Sequence, residues 1–108
     1  MAVLHAKSGE VIDVGPLGPA LAQARTTTLV KTATLEVIRL VIPAGKQLPG
    51  HQVRQDITIQ CLEGRVTVTA GDATHDLGAG QMLYLVGGTP HSLRGVEDAS
   101  ALLTILLG

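Results

Sequence analysis

Two histidines, one carboxylate and one amide stand out in a chain otherwise dominated by aliphatic residues. His51 follows a Gly/Pro-rich run from Pro43 to Gly50, and His91 follows Gly87-Gly88-Thr89-Pro90. Each turn adjoins an apolar stretch, Ile57 to Leu62 in one case and Met82 to Val86 in the other. Neutral imidazole coordinates transition metals and exchanges hydrogen bonds with polar small molecules. Two imidazoles alone make an open site. Catalytic zinc keeps three protein ligands, and non-haem iron pairs two His with a carboxylate. Gln55 and Asp56 are the nearest further donors. If the chain bulges between His51 and Ile57, Asp56 turns inward and completes a two-His-one-carboxylate set. In simple alternation Gln55 shares a face with His51, and Asp56 points away. The candidate ligands are therefore His51, His91, Gln55 and Asp56, around a reduced site for a divalent metal (Zn, Fe, Mn or Ni).

Other polar residues have plainer readings. Tyr84 reads as a packed strand residue with its hydroxyl at the rim. Arg39 lies on an apolar strand and suits a rim or interface salt bridge, or an anion held in a cavity. Arg94 lies near His91, and His75 and Asp76 form a solvated pair. The single cysteine, Cys61, sits in an apolar run and reads as a buried, inert thiol. No serine occupies a nucleophile elbow, and no Gly-rich loop opens a helix to cradle phosphates.

The elements that must position these groups are short strands. Glu10 to Val14 alternates and suits a short edge strand, after a loosely held tail over residues 1–9. Leu21 to Arg25 has room for one helical turn. Thr26 to Lys31, Thr34 to Ile42, Asp56 to Leu62, Val66 to Thr69, Thr74 to Leu77, a buried Gln81 to Val86, His91 to Gly95 and Ala101 to Leu107 follow as strands, with Ala70 to Ala73 as a hairpin turn. Turn signals recur every eight to twelve residues, the pattern of a sandwich or barrel. The strand at 34–42 is apolar on both faces: Leu35, Val37 and Val41 on one, Ile38, Leu40 and Ile42 on the other. Such a strand needs cover on each side. Ile57, Ile59 and Cys61 are expected to line the interior, because the opposite register would bury Thr58 and Gln60.

At this point the residues resemble a family. Cupins carry a first motif of Gly, five residues, His-x-His, three or four residues, Glu, six residues, Gly. Here Gly45, His51 and Gly64 fall at those spacings, with Val53 at the second His position and Ile57 at the Glu position. The second cupin motif reads Gly, five residues, Pro-x-Gly, two residues, His, three residues, Asn. Gly80, Gly88 and His91 match it, with Val86 at the Pro position and Gly95 at the Asn position. The likeness covers roughly residues 35–107. It implies an all-β double-stranded β-helix, a jelly-roll barrel of the small RmlC-like kind, filling residues 1–108 as one domain. It also implies half of the usual set of three His and one Glu.

The chain of 108 residues carries a net charge of −1 and a single aromatic residue. Neither a basic stripe nor a stacking platform for bases is present, so nucleic acid is not an expected partner. The lone cysteine allows no internal disulfide, residues 1–10 show no signal peptide, and no run has the length of a membrane span. A cytoplasmic homodimer that binds a small molecule is the resulting expectation. It is either built around the reduced metal site, where the metal could also serve an enzyme as Lewis acid or oxygen activator, or, without metal, around two hydrogen-bonding histidines. A structural module without ligand is the third reading.

Overall fold

A computed structural model describes residues 5–51 and 53–107; the side chains of residues 49–51 lie outside the description. Nine strands follow one 3-10 turn at Gly18–Gln23: β1 (Thr27–Lys31), β2 (Leu35–Ile42), β3 (Gln47–His51), β4 (Ile57–Glu63), β5 (Arg65–Ala70), β6 (Ala73–Gly78), β7 (Met82–Leu85), β8 (His91–Gly95) and β9 (Ala99–Leu106). They form two antiparallel sheets. One has the order β1-β2-β9-β4-β7, the other β3-β8-β5-β6. The chain changes sheet repeatedly, as a jelly roll requires.

The core lies between the sheets. Leu40 and Ile42 of β2, Ile57, Ile59 and Cys61 of β4, Val66 and Val68 of β5, Leu93 of β8 and Ala99, Ala101 and Ile105 of β9 are buried. The register expected for β4 is thus the observed one, with Ile59 and Cys61 fully buried and Thr58 and Gln60 on the opposite face. Strand β2 is apolar on both faces, as expected.

Five expectations change. Glu10 to Val14 forms no strand. Its backbone instead crosses the outer face of the five-stranded sheet, where the Arg39 guanidinium donates to the carbonyls of Asp13 and Gly15, each at 3.0 Å. Arg39 therefore neither holds a ligand in a cavity nor makes a rim salt bridge. Residues 47–51, read as a turn, form β3 at the edge of the four-stranded sheet. Strand β7 is not buried but is a sheet edge, and Met82 and Tyr84 are 60% and 58% exposed. Asp76 pairs with Arg65 at 2.6 Å, not with His75. Within the described part of the N-terminal tail, Ala6 donates its N–H to Leu29 of β1 at 2.8 Å.

The crossing segment has a second anchor. The backbone N–H groups of Leu17 and Gly18 donate to the Glu63 carboxylate at 2.9 and 3.0 Å, and the fully buried Ser100 hydroxyl donates to it at 2.5 Å. A buried charge is tolerable only when its hydrogen bonds are made. The buried Arg39 meets that condition through the carbonyls of residues 13 and 15, and the half-buried Glu63 adds a second hold at residues 17 and 18.

Candidate functional site

Strands β3 and β8 bring the two singled-out histidines together in the backbone. Their register sets His51 directly opposite His91. A β-bulge between Leu48 and His51 precedes this pair, so the strand is re-aimed just before the histidine. His51 keeps only a backbone description; its side chain, like all of Gln52, lies outside the described residues.

His91 can be followed to its atoms. It is 5% exposed and alternates inward with Leu93 and Gly95 along β8. It is the polar residue at the end of an inner surface otherwise lined by aliphatic side chains. Its Nδ1 lies 3.1 Å from the Thr89 carbonyl oxygen. A carbonyl only accepts, so Nδ1 carries the proton, and in the neutral ring the lone pair is on Nε2. Beside His91 is an open cleft of about 360 Å³ lined by Thr69, Gly71, Asp72, Pro90, His91 and Ser92.

Gln55 is half-buried on the loop before β4. Asp56 points away from the interior, the direction that simple alternation gives. Its Oδ1 accepts the Gly87 N–H at 2.8 Å, and its Oδ2 accepts the Tyr84 hydroxyl at 3.0 Å. It lines a hollow of about 260 Å³ with Thr58, Tyr84, Thr104 and Leu106 on the outer side of the sheet. The hydrogen bond that the Tyr84 hydroxyl donates to Asp56 pushes the phenol up from its ordinary value of 10.0, because the phenolate would lose that bond and would also face a carboxylate. Among the described residues no three His, Cys, Asp or Glu side chains gather as a metal-binding group. A full three-ligand set is thus not supplied by the described donors.

Cys61 contributes nothing reactive. Burial raises its thiol above the ordinary 9.0, outweighing its hydrogen bond to the Glu63 carbonyl. The thiolate that nucleophilic chemistry needs is therefore suppressed.

Sequence reasoning missed two functional contacts, the Asp56 grip on Gly87 and the close approach of that glycine to Arg54. A Cβ on Gly87 would stand 2.2 Å from the Arg54 carbonyl oxygen. The only signal was the Gly87-Gly88 pair itself.

Two sheets closing an apolar interior, with the chain alternating between them, define a double-stranded β-helix. A model of the cupin domain matches residues 38–107, and the chain belongs to the cupin family. The four glycines that carry the motif likeness, Gly45, Gly64, Gly80 and Gly88, all have positive φ, so each sits at a turn that demands one. The chain is similar to an RmlC-like cupin from Desulfovibrio desulfuricans at 26% identity, with a TM-score of 0.70 and coverage of 94% of this chain and 97% of the other. A cupin superfamily protein from Desulfitobacterium hafniense gives a TM-score of 0.78 at 16% identity, covering 95% and 100%. Salicylate 1,2-dioxygenase from Pseudoaminobacter salicylatoxidans matches at TM-score 0.69 and 18% identity, covering 74% of this chain and 25% of the enzyme. The last two likenesses establish fold alone. No curated protein matches the sequence. Among the described residues no helix is long and apolar enough to cross a membrane.

Proposed function

We propose that this cupin binds a small polar molecule at the open end of its barrel, with His51 and His91 as the paired recognition groups. The observation that carries the reading is the register of His51 against His91. Directly opposed residues of antiparallel strands share a face, with Cβ atoms roughly 4.5–5.5 Å apart. In this reading both imidazoles meet at the margin of the aliphatic interior. Hydrogen bonds there are electrostatically stronger than in water, and an unmade one is costly. The cleft of Thr69, Asp72 and Ser92 opens on the other face of this sheet, because Ser92 alternates with the inward His91 and opposes Thr69, so the proposed site is the inner one that the two histidines share. An imidazole carrying one donor and one acceptor nitrogen suits a hydroxyl-bearing ligand, which can both accept and donate. The proposed setting is a reducing cytoplasm, where the buried Cys61 needs no partner.

A second reading has one specific observation in its favour. A metal-ligating imidazole typically donates its other N–H to a carbonyl or carboxylate, which fixes the ring. The Thr89 carbonyl is placed to accept from His91 in that way. Here His51 and His91 hold a divalent cation (Zn, Fe, Mn or Ni), with Gln55 as a neutral third donor and water or ligand completing the shell.

Thermal-shift measurements on the native protein, His51→Ala and His91→Ala separate the two. The probes are a panel of polyols and hydroxy acids and, in parallel, the four cations. A ligand at about one hundred times its Kd adds about 2.7 kcal/mol to stability, which is roughly 10–20 °C for a chain of this size. A polyol or hydroxy-acid shift lost in both variants is the expected result. The same pattern from a cation alone selects the metal reading. Shifts that persist undiminished in both variants would remove the two histidines from the site.

The proposal includes a homodimer through the outer face of the five-stranded sheet. Thr58, Gln60, Met82, Tyr84, Leu102, Thr104 and Leu106 line that face without a charge among them, and Met82, Tyr84 and Leu106 are at least half exposed. A two-fold interface sets a patch against itself, so a largely uncharged patch limits like-charge contact, and the Asp56 carboxylate at its margin has both oxygens occupied by hydrogen bonds. Light scattering should give twice the chain mass for the native protein and the single-chain mass for Leu106→Arg. A native monomer, or a dimer untouched by the substitution, would refute this interface.

A further inference from the structure

We infer that Asp56 is a positioning residue: it clamps the loop that leads into His91 against the loop that follows His51. The functional consequence rests on the His51–His91 reading; the clamp itself rests on geometry alone. Two contacts join the two loops, and a third ties Asp56 to β7. The Gly88 N–H donates to the Val53 carbonyl at 2.7 Å, the Gly87 N–H donates to Asp56 Oδ1 at 2.8 Å, and the Tyr84 hydroxyl donates to Asp56 Oδ2 at 3.0 Å. Both carboxylate oxygens are thus committed, Oδ1 to the neighbouring loop and Oδ2 to the end of β7.

The glycines make this approach possible in different ways. Gly87 has no room for a side chain, since its Cβ would meet the Arg54 carbonyl oxygen at 2.2 Å and the Gln55 carbonyl carbon at 2.9 Å. Gly88 has space but needs its positive φ of 87°. It closes the turn in which Thr89 donates to the Val86 carbonyl through both N–H and hydroxyl, at 3.3 and 2.7 Å. Thr89 is also the residue whose carbonyl fixes the His91 ring. The chain of contacts therefore runs from Asp56 through Gly87, Gly88 and Thr89 to the imidazole.

The side of the sheet matters. Ile57, next along the chain, points into the core at 3% exposure, whereas the Tyr84 that meets Asp56 is an outward residue of an edge strand. Asp56 thus acts on the site from behind the sheet. A bifurcated hold by one carboxylate on a backbone N–H and a phenol is the kind of supporting contact that fixes a binding loop.

The test uses the full chain as Asp56→Ala, Asp56→Asn and Gly87→Ala, with two readouts by NMR. The first is amide hydrogen exchange at Gly87 and Gly88. The second is the ring resonances of His91. Loss of the clamp in Asp56→Ala should speed exchange at both amides by roughly tenfold, with β2 and β9 amides unchanged. It should also move the His91 ring signals. Asp56→Asn keeps an oxygen acceptor for Gly87 and should restore most of both readouts. Gly87→Ala, which leaves Asp56 intact, should reproduce the Asp56→Ala pattern. Unchanged exchange in Asp56→Ala would overturn the clamp. Faster exchange with unmoved His91 signals would overturn the positioning role. A zinc-induced thermal shift abolished in Asp56→Asn, with native exchange rates, would make Asp56 a ligand instead. Failure of the binding site would show separately, as a native protein that responds to none of the polyol, hydroxy-acid or cation probes while the clamp readouts behave as described.

Discussion

Gly64→Ala is expected to lower the stability of the protein by roughly 3 kcal/mol, a fall in Tm of about 10–20 °C. Gly64 joins β4 to β5 and so carries the chain from one sheet to the other. Its φ of 74° alone sets an L side chain at a disadvantage of roughly 1–2 kcal/mol. The larger obstacle is space. A Cβ would fall 2.1 Å from the Asp98 carbonyl oxygen and 2.9 Å from the Ala99 Cα, both backbone atoms that cannot swing aside. Gly88→Ala supplies the control. Its φ is equally positive, but nothing lies within 4 Å of the added carbon. That substitution should cost about 1–2 kcal/mol, the conformational part only. Calorimetry of the pair checks the account. Equal melting temperatures would mean that crowding at the β4–β5 turn has been misjudged.

The second large effect concerns the strap over residues 13–18. Arg39→Ala removes two charge-assisted hydrogen bonds from a guanidinium that is 6% exposed, a loss of roughly 3 kcal/mol. Glu63 gives the same strap a pH dependence. Burial alone would raise its pKa. The N–H of Leu17, the Ser100 hydroxyl, the N–H of Gly18 and the charge of Arg39 together win and hold it below 4.5. A depressed carboxylate pKa stabilises the folded state above the unfolded value, and that contribution disappears as pH falls through the folded value. The native protein should therefore lose Tm below about pH 4.5. Glu63→Gln should be less stable at neutral pH and should show a flatter acid limb. Parallel acid limbs for the two proteins would contradict the assignment.

The fold was legible in this sequence because its strongest signals are local. Ile57, Ile59 and Cys61 alternate with polar or longer neighbours, and only one register buries them. The motif glycines are turn residues by conformation, so their spacing carried the barrel. What escaped depends on partners far along the chain. Pro49 and Gly50 made β3 look like a turn; proline is tolerated there because β3 is an edge strand, where not every N–H is needed. The alternation of Glu10 to Val14 looked like a strand, but Arg39, 26 residues beyond Asp13, recruits that backbone as a strap. The apolar run of β7 looked buried because composition does not reveal that a strand lies at an edge. The candidate site divides in the same way. His51 and His91 were marked by turn and spacing, whereas Asp56 was ambiguous because the donor that decides its direction is Gly87, 31 residues away.

The proximity of the two imidazoles is best tested by proton NOE measurements on the side chains of His51 and His91 in the native protein. Rings on directly opposed residues should give cross-peaks between their carbon-bound protons, and both sets should shift together when a polyol or hydroxy acid binds. Rings with no mutual cross-peak, one of them seeing only solvent-facing neighbours, would contradict a shared site at the end of the barrel.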